Sequence, residues 1–269
     1  MTGVFDRKIT IVTGGGRGIG AAVCQSFASE GAIVAVFDQN ADEARSCAQD
    51  IAARGGVARA YGVDVTDRPA LETAISAVAA AFGGIDILVN NAGIGRVSAL
   101  ANMPVEDWDR VIDVNLTGPF NCTRAALPYM KNREGASIVV VSSLAAKAIS
   151  YHGGIGYTAA KSGLLGFVRH AAYELSLYGI RINSVLPGPV LTPMVLESTS
   201  AEERRATAAK IPLGRWVMPE DIANAVLFFA GPLSSMCTGT ELSIDGGMLV
   251  APNASREEYF TRRGIEINE

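Results

Sequence analysis

Tyr157 and Lys161, in the segment YTAAK, are four residues apart and share one face if that segment is helical. A phenol with a pKa of about 10 is a poor base at neutral pH, but a neighbouring ammonium favours the phenolate. A shift of two or three units is worth roughly 3–4 kcal/mol and would leave a general acid/base poised near working pH. One Tyr-x-x-x-Lys arises easily by chance, so its meaning depends on what else the chain carries.

It carries a glycine-rich loop, TGGGRGIG, from Thr13 to Gly20. Gly14, Gly18 and Gly20 let the backbone turn tightly and approach a pyrophosphate where a helix begins near Ile19. The spacing is G-x-x-x-G-x-G, not the common G-x-G-x-x-G. Asp38 closes the apolar run IVAVFD, where a carboxylate can accept hydrogen bonds from an adenosine ribose. The same charge repels a 2′-phosphate and selects NAD over NADP. Arg17 pulls the other way, because a cation near the loop could meet that phosphate. A plain acid in a turn is the other reading of Asp38.

The elements that must position these groups follow from hydrophobic patterning. Apolar, β-rich runs recur at Ile9–Val12, Ile33–Phe37, Val57–Tyr61, Ile85–Val89, Ser137–Val141, Ile180–Val185 and Leu242–Ile244. Helical stretches such as Ala41–Arg54, Ala70–Phe82 and Ser162–Leu177 separate them. Strand alternating with helix implies a parallel sheet, since each crossover needs a helix to bring the chain back. The expectation is an α/β fold with a parallel sheet, seven strands in one rhythm and no obvious domain boundary over residues 1–269. From Pro187 to Trp216 the chain has four prolines and a polar helix-like piece, Ala201–Lys210. It follows a strand's C-terminal end and reads as a substrate lid.

Composition narrows the function classes. Of 269 residues, 49% are hydrophobic, and the net charge is −4, which disfavours nucleic acid as a partner. No apolar stretch suits a membrane span or a secretory leader, so the cytoplasm is the expected compartment. Cys24, Cys47, Cys122 and Cys237 include no close pair and read as reduced thiols, with no metal site expected.

Together these features resemble the short-chain dehydrogenase/reductase family in its shorter form. TGGGRGIG is similar to that family's T-G-x-x-x-G-x-G loop, and NNAG at Asn90–Gly93 to the motif after its fourth strand. YTAAK matches its Y-x-x-x-K, PGPVLT at Pro187–Thr192 its P-G-x-x-x-T turn, and DGG at Asp245–Gly247 its usual ending. The likeness runs from about residue 5 to 250 and leaves the extension 251–269 unexplained. It implies a single Rossmann-type three-layer sandwich with a seven-stranded parallel sheet, and a homotetramer, while Asp38 points to NAD as the cofactor.

The resemblance also implies roles. Ser143 would hydrogen-bond the substrate oxygen, although thirteen residues separate it from Tyr157 where the family usually has twelve. Ser142 is the less suited alternative. Lys161 would also hold the nicotinamide ribose, and Asn115 would hold a water that links the lysine to solvent. Asp64 would contact the adenine together with the Val65 backbone, unless it merely caps the helix that follows. Asn91, Ala92 and Gly93 would let the backbone approach the cofactor. Pro187 and Gly188 form the turn that leads to Val190 and Thr192, beside the carboxamide. Arg96, Tyr151, His152, Met194 and Trp216 are possible substrate-pocket residues.

The reading is reversible hydride transfer between NAD(H) and a small-molecule secondary alcohol or ketone. Three alternatives stay open: a non-catalytic NAD(H)-binding regulator, a sugar-nucleotide epimerase or dehydratase, and a 3-oxoacyl thioester reductase using NADP(H).

Overall fold

Alternate residues of each central strand go to opposite faces of the sheet, and this fixes where two cores lie. The computed structural model describes residues 3–150, 152–250 and 256–264, except the side chains of 194, 198 and 256–258. Its seven strands are β1 (Ile9–Thr13), β2 (Ile33–Asp38), β3 (Val57–Gly62), β4 (Ile87–Asn90), β5 (Ser137–Val141), β6 (Arg181–Pro187) and β7 (Glu241–Ile244). They form one sheet in the order β3-β2-β1-β4-β5-β6-β7. Every neighbouring pair is parallel.

On one face, Val12, Val36, Val89 and Val139 pack with α1 (Gly18–Ser29), α2 (Ala41–Ala53) and α9 (Pro219–Ala230). On the other, Ile11, Phe37, Leu88 and Ile138 pack with α3 (Arg68–Phe82), α5 (Gly118–Met130) and α6 (Gly154–Leu175). Between α3 and α5 lies α4 (Val105–Ile112). β1 is buried at all five positions, as a strand covered on both faces should be. This is the expected α/β three-layer sandwich.

Several boundaries differ from the sequence reading, and two of them have an identifiable cause. β4 begins at Ile87, not Ile85, because the chain first turns the Asp86 carboxylate onto the Ile9 amide (2.8 Å) and onto Arg133. α6 begins at Gly154, eight residues before Ser162. Gly154 and Gly156 lower helix propensity and hide the start, but each is fitted to a neighbour. A Cβ at Gly154 would meet the Arg96 carbonyl oxygen at 2.0 Å, and one at Gly156 would touch Val111 and Trp108.

The sheet order reverses between β1 and β4: from β1 the chain builds outward to β3, then returns to the other side. Open α/β sheets bind ligands beyond the strand ends at such a point. The segments leaving β1 and β4 there are the glycine loop and Asn90–Gly93. From β6 the chain passes through α7 (Pro193–Ser198) and α8 (Ala201–Ala208) and returns to α9. The ends of this excursion are tied by a parallel bridge between Val190 and Val217. Its far part docks on the DGG turn, where Leu213 N–H donates to the Gly246 carbonyl (3.1 Å) and Ile211 is fully buried. α10 (Arg256–Thr261) lies in the C-terminal extension. Among the described residues, no helix is long and apolar enough to cross a membrane.

Candidate active site

The glycine loop is held by contacts that only glycine permits. Gly14 and Gly18 have φ of +61° and +54°, a left-handed conformation that favours glycine. Gly20 has no such φ, but a Cβ there would lie 1.9 Å from the Gly14 carbonyl oxygen. Thr13 clamps this loop to the one leaving β4. Its hydroxyl oxygen accepts from the Asn91 and Ala92 amides at 3.0 and 3.1 Å. The Asn91 side chain donates back to the carbonyls of Thr13 and Gly14.

α1 starts differently from its neighbours. Asn40 caps α2 and Asp67 caps α3, whereas α1 has no side-chain cap and no acid in its first turn. Its leading N–H groups thus stand beside Gly18 without a side chain bonded to them, an arrangement suited to an anion. A Cβ at Gly18 would meet only Thr192, at 3.6 Å, so the P-G-x-x-x-T turn reaches over the loop. Thr192 itself caps α7, and Gly188 sits on Asp245, where a Cβ would come within 2.8 Å of its Cα. Ile19 packs on the core beneath α1, Pro187 is buried, and Val190 is 8% exposed.

Asp38 ends β2 next to the loop. Its two oxygens accept from the Gly16 and Asn40 amides, both at 3.0 Å. Arg17 is exposed and ion-paired to Glu43 at 3.6 Å. Asp64 is not a helix cap, since Asp67 caps α3. Its carboxylate accepts from the Thr66 amide and hydroxyl and pairs with Arg110 at 2.8 Å. Burial is the largest single influence and pushes its pKa up, but the contacts with Arg110 and Thr66 together outweigh it and hold the carboxyl below its ordinary value. The Val65 carbonyl accepts from Asn121.

At the other end of the site, α6, the β5 end and the turn before α5 bring Tyr157, Lys161, Ser143 and Asn115 together. Tyr157 is half-buried, and the Ser143 hydroxyl lies close enough to act on its phenol. Lys161 is 3% exposed; its ammonium donates to the Val141 carbonyl at 2.9 Å and lies 5.5 Å from the centre of the Tyr157 ring. Ser142 turns away and donates to the Lys161 carbonyl. Asn115 is fully buried in a π-helical turn, Asp113–Thr117, that joins α4 to α5. Its amide donates to the carbonyls of Ile94 and Val111 and accepts from the Ile94 N–H. Gly93 links the set, because a Cβ there would lie 2.7 Å from Asn115 Oδ1 and 3.5 Å from Lys161 Nζ.

The electrostatics correct one expectation. Burial raises the phenol's pKa above its ordinary value, and Ser143 only partly offsets this. Burial also lowers Lys161 to about 8. The reason is geometric: the ammonium bonds the Val141 carbonyl, not the phenol oxygen, so desolvation dominates both groups.

Of the suggested pocket residues, Arg96 is exposed and pairs with Asp107, and His152 is exposed. Trp216 is half-buried and donates to the Arg204 carbonyl. Tyr151 and the side chain of Met194 lie outside the described residues. Four neighbours were not singled out from sequence: Thr13, Glu43, Arg110 and Gly153. Thr13 opens the recognised loop, and Gly153 neighbours its own motif. A Cβ at Gly153 would lie 2.5 Å from Tyr157 Cδ1. Arg110 and Glu43 are ordinary charges in helices and carry no signal until the fold brings them to their partners.

A family model described as enoyl-(acyl carrier protein) reductase matches residues 14–249. The 3-oxoacyl-(acyl-carrier-protein) reductase of Thermotoga maritima is 40% identical over 91% of this chain and 99% of its own. The chain belongs to the short-chain dehydrogenase/reductase family. L-rhamnose 1-dehydrogenase (NAD(P)(+)) of Azotobacter vinelandii is 39% identical, over 90% of this chain and 97% of its own. Among solved structures, a 3-oxoacyl-(acyl-carrier protein) reductase from Brucella melitensis with bound NAD superposes with a TM-score of 0.82. It is 34% identical and covers 90% of this chain and 91% of its own. As a family member this protein is an oxidoreductase that uses a nicotinamide cofactor.

Proposed function

We propose that the protein catalyses reversible hydride transfer between NAD(H) and a secondary alcohol or ketone, with Tyr157 as general acid/base. The observation that carries this reading is the placement of Tyr157 and Lys161 on one helix, with Lys161 buried 5.5 Å from the centre of the Tyr157 ring and Ser143 close enough to act on the phenol.

The uncapped start of α1 and the close-packed glycines fit a dinucleotide. Gly14, Arg17, Gly18, Ile19 and Gly20 would flank its pyrophosphate, Asp38 its adenosine ribose, and Asp64 with Val65 its adenine. Asn91, Ala92, Gly93, Pro187, Gly188, Val190 and Thr192 would line the path to the nicotinamide, and Tyr157 and Lys161 would hold its ribose. When bound, the cofactor supplies a ring carbon that accepts or returns the hydride.

The protein's part is proton handling and charge. In oxidation Tyr157 takes the hydroxyl proton, and in reduction it gives that proton to the carbonyl oxygen. Ser143 hydrogen-bonds the same oxygen and steadies its developing charge. Lys161 places a positive charge near the ring as the proton leaves, and Asn115 fixes the loop from which a proton relay would run. The excursion over residues 187–216 acts as the substrate lid. The same reading makes the enzyme a cytoplasmic homotetramer, so sedimentation should return about four times the 28.1 kDa chain mass.

A second reading, a 3-oxoacyl thioester reductase using NADP(H), is favoured by the likeness to the Thermotoga reductase and by Arg17 in the loop. The carboxylate of Asp38, bonded into the loop through Gly16, favours NAD. One screen separates the two. Polyols, sugars, other secondary alcohols and 3-oxoacyl thioesters are offered with each nucleotide while nicotinamide absorbance is followed. Turnover of an alcohol or ketone with NAD(H) supports the proposal, and thioester reduction confined to NADPH contradicts it.

A further inference from the structure

We propose that Glu43 is a cofactor-specificity residue, holding Arg17 in an ion pair and so denying a 2′-phosphorylated dinucleotide the cation of the glycine loop. The proposal rests on the reading of that loop as a dinucleotide site and adds to it a residue and a mechanism.

Glu43 is placed with little freedom. It lies in the first turn of α2, where the Asn40 side chain accepts from its backbone N–H at 3.3 Å. Its Cβ packs on the loop: a Cβ at Gly16 would lie 2.7 Å from Glu43 Cβ and 3.0 Å from Asp38 Oδ2. The Asp38 carboxylate and the base of the Glu43 side chain therefore bracket Gly16. Asp38 is engaged by backbone amides, and the Glu43 carboxylate extends past the loop to reach Arg17 Nε at 3.6 Å. Favourable charge at a helix start does not by itself account for Glu43. Asp42 also supplies it, and Asp42 turns to Arg45, not to the loop.

A 2′-phosphate on the adenosine would approach Asp38 and look to Arg17 for compensation. With Glu43 in place, it must first break the Arg17 pair and then share the site with two negative charges. Repulsion built against the wrong ligand is a recognised route to specificity. The pair is partly solvated, with side-chain exposures of 59% and 33%. Its effect is accordingly modest and salt-dependent.

The test is direct nucleotide binding by cofactor fluorescence, with NADH and NADPH titrated into the full-length parent, E43Q, R17A and R17A/E43Q. E43Q should shift the NADPH-to-NADH affinity ratio toward NADPH by about five- to tenfold. R17A/E43Q should lose most of that gain, and raising the salt from about 0.05 M to about 0.5 M should shrink it. An E43Q ratio within twofold of the parent overturns the proposal, as does a gain that survives in R17A/E43Q. The parent's own ratio tests the NAD reading separately: a parent that prefers NADPH contradicts that reading, while the change between variants still tests Glu43.

Discussion

Lys161 carries the largest electrostatic cost in the site. It is 3% exposed and its pKa falls to about 8 through burial. The lysine is charged in both folded and unfolded states below pH 8, so the burial cost is then fully present. As pH rises from about 8 toward the unfolded value, the folded protein loses its proton first and the cost fades. The shift is equivalent to about 3 kcal/mol at neutral pH. Lys161→Met should therefore be inactive yet at least as stable as the parent at pH 7, with this advantage lost near pH 10. Urea unfolding of both proteins at the two pH values checks it, and an advantage that grows with pH contradicts the assignment. Tyr157 gives a second test at this scale. Because burial raises its pKa above the ordinary phenol value, the oxidative rate should climb with pH up to about 10 while the reductive rate, which needs the protonated phenol, holds steady. Parallel pH–rate profiles in the two directions would contradict this.

Among the elements, the turn from β1 into α1 has the least tolerance. A Cβ at Gly20 would collide with the Gly14 carbonyl oxygen, and the Asn91 side chain occupies the remaining space at 2.7 Å. Gly20→Ala should weaken NADH binding by at least about tenfold while the protein still folds, because the clash stays within the loop. Fluorescence titration measures the affinity and circular dichroism the fold; unchanged affinity would contradict the loop's role. This turn was legible in the sequence because its glycines are spaced by the steric demands of the turn itself. The start of α6 was not, since Gly154 and Gly156 read as helix breakers and only their fit against Arg96 and Val111 makes them helical. The π-helical turn around Asn115 was hidden for a similar reason: local propensity gives a continuous helix, and the bonds from Asn115 to Ile94 come from a distant segment.

At the scale of the molecule, the order of strands was legible in outline. Both-face burial leaves continuous apolar runs in β1, β2, β4 and β5, and the rhythm of strand and helix implies a parallel sheet. Charge pairing across the fold was not legible, because Asp64 with Arg110 and Arg17 with Glu43 join residues 46 and 26 positions apart. Nor was the electrostatic state of Tyr157 and Lys161, which depends on how deeply the packed cores bury them. What the whole fold achieves is to set a buried phenol, a buried ammonium and an anion-ready helix start beyond the C-terminal ends of the central strands. The most direct test is Tyr157→Phe, which removes one hydroxyl and keeps the ring against Gly153. The account predicts turnover reduced by at least about a thousandfold, with NADH affinity within a few-fold of the parent. Turnover within a few-fold of the parent would contradict it.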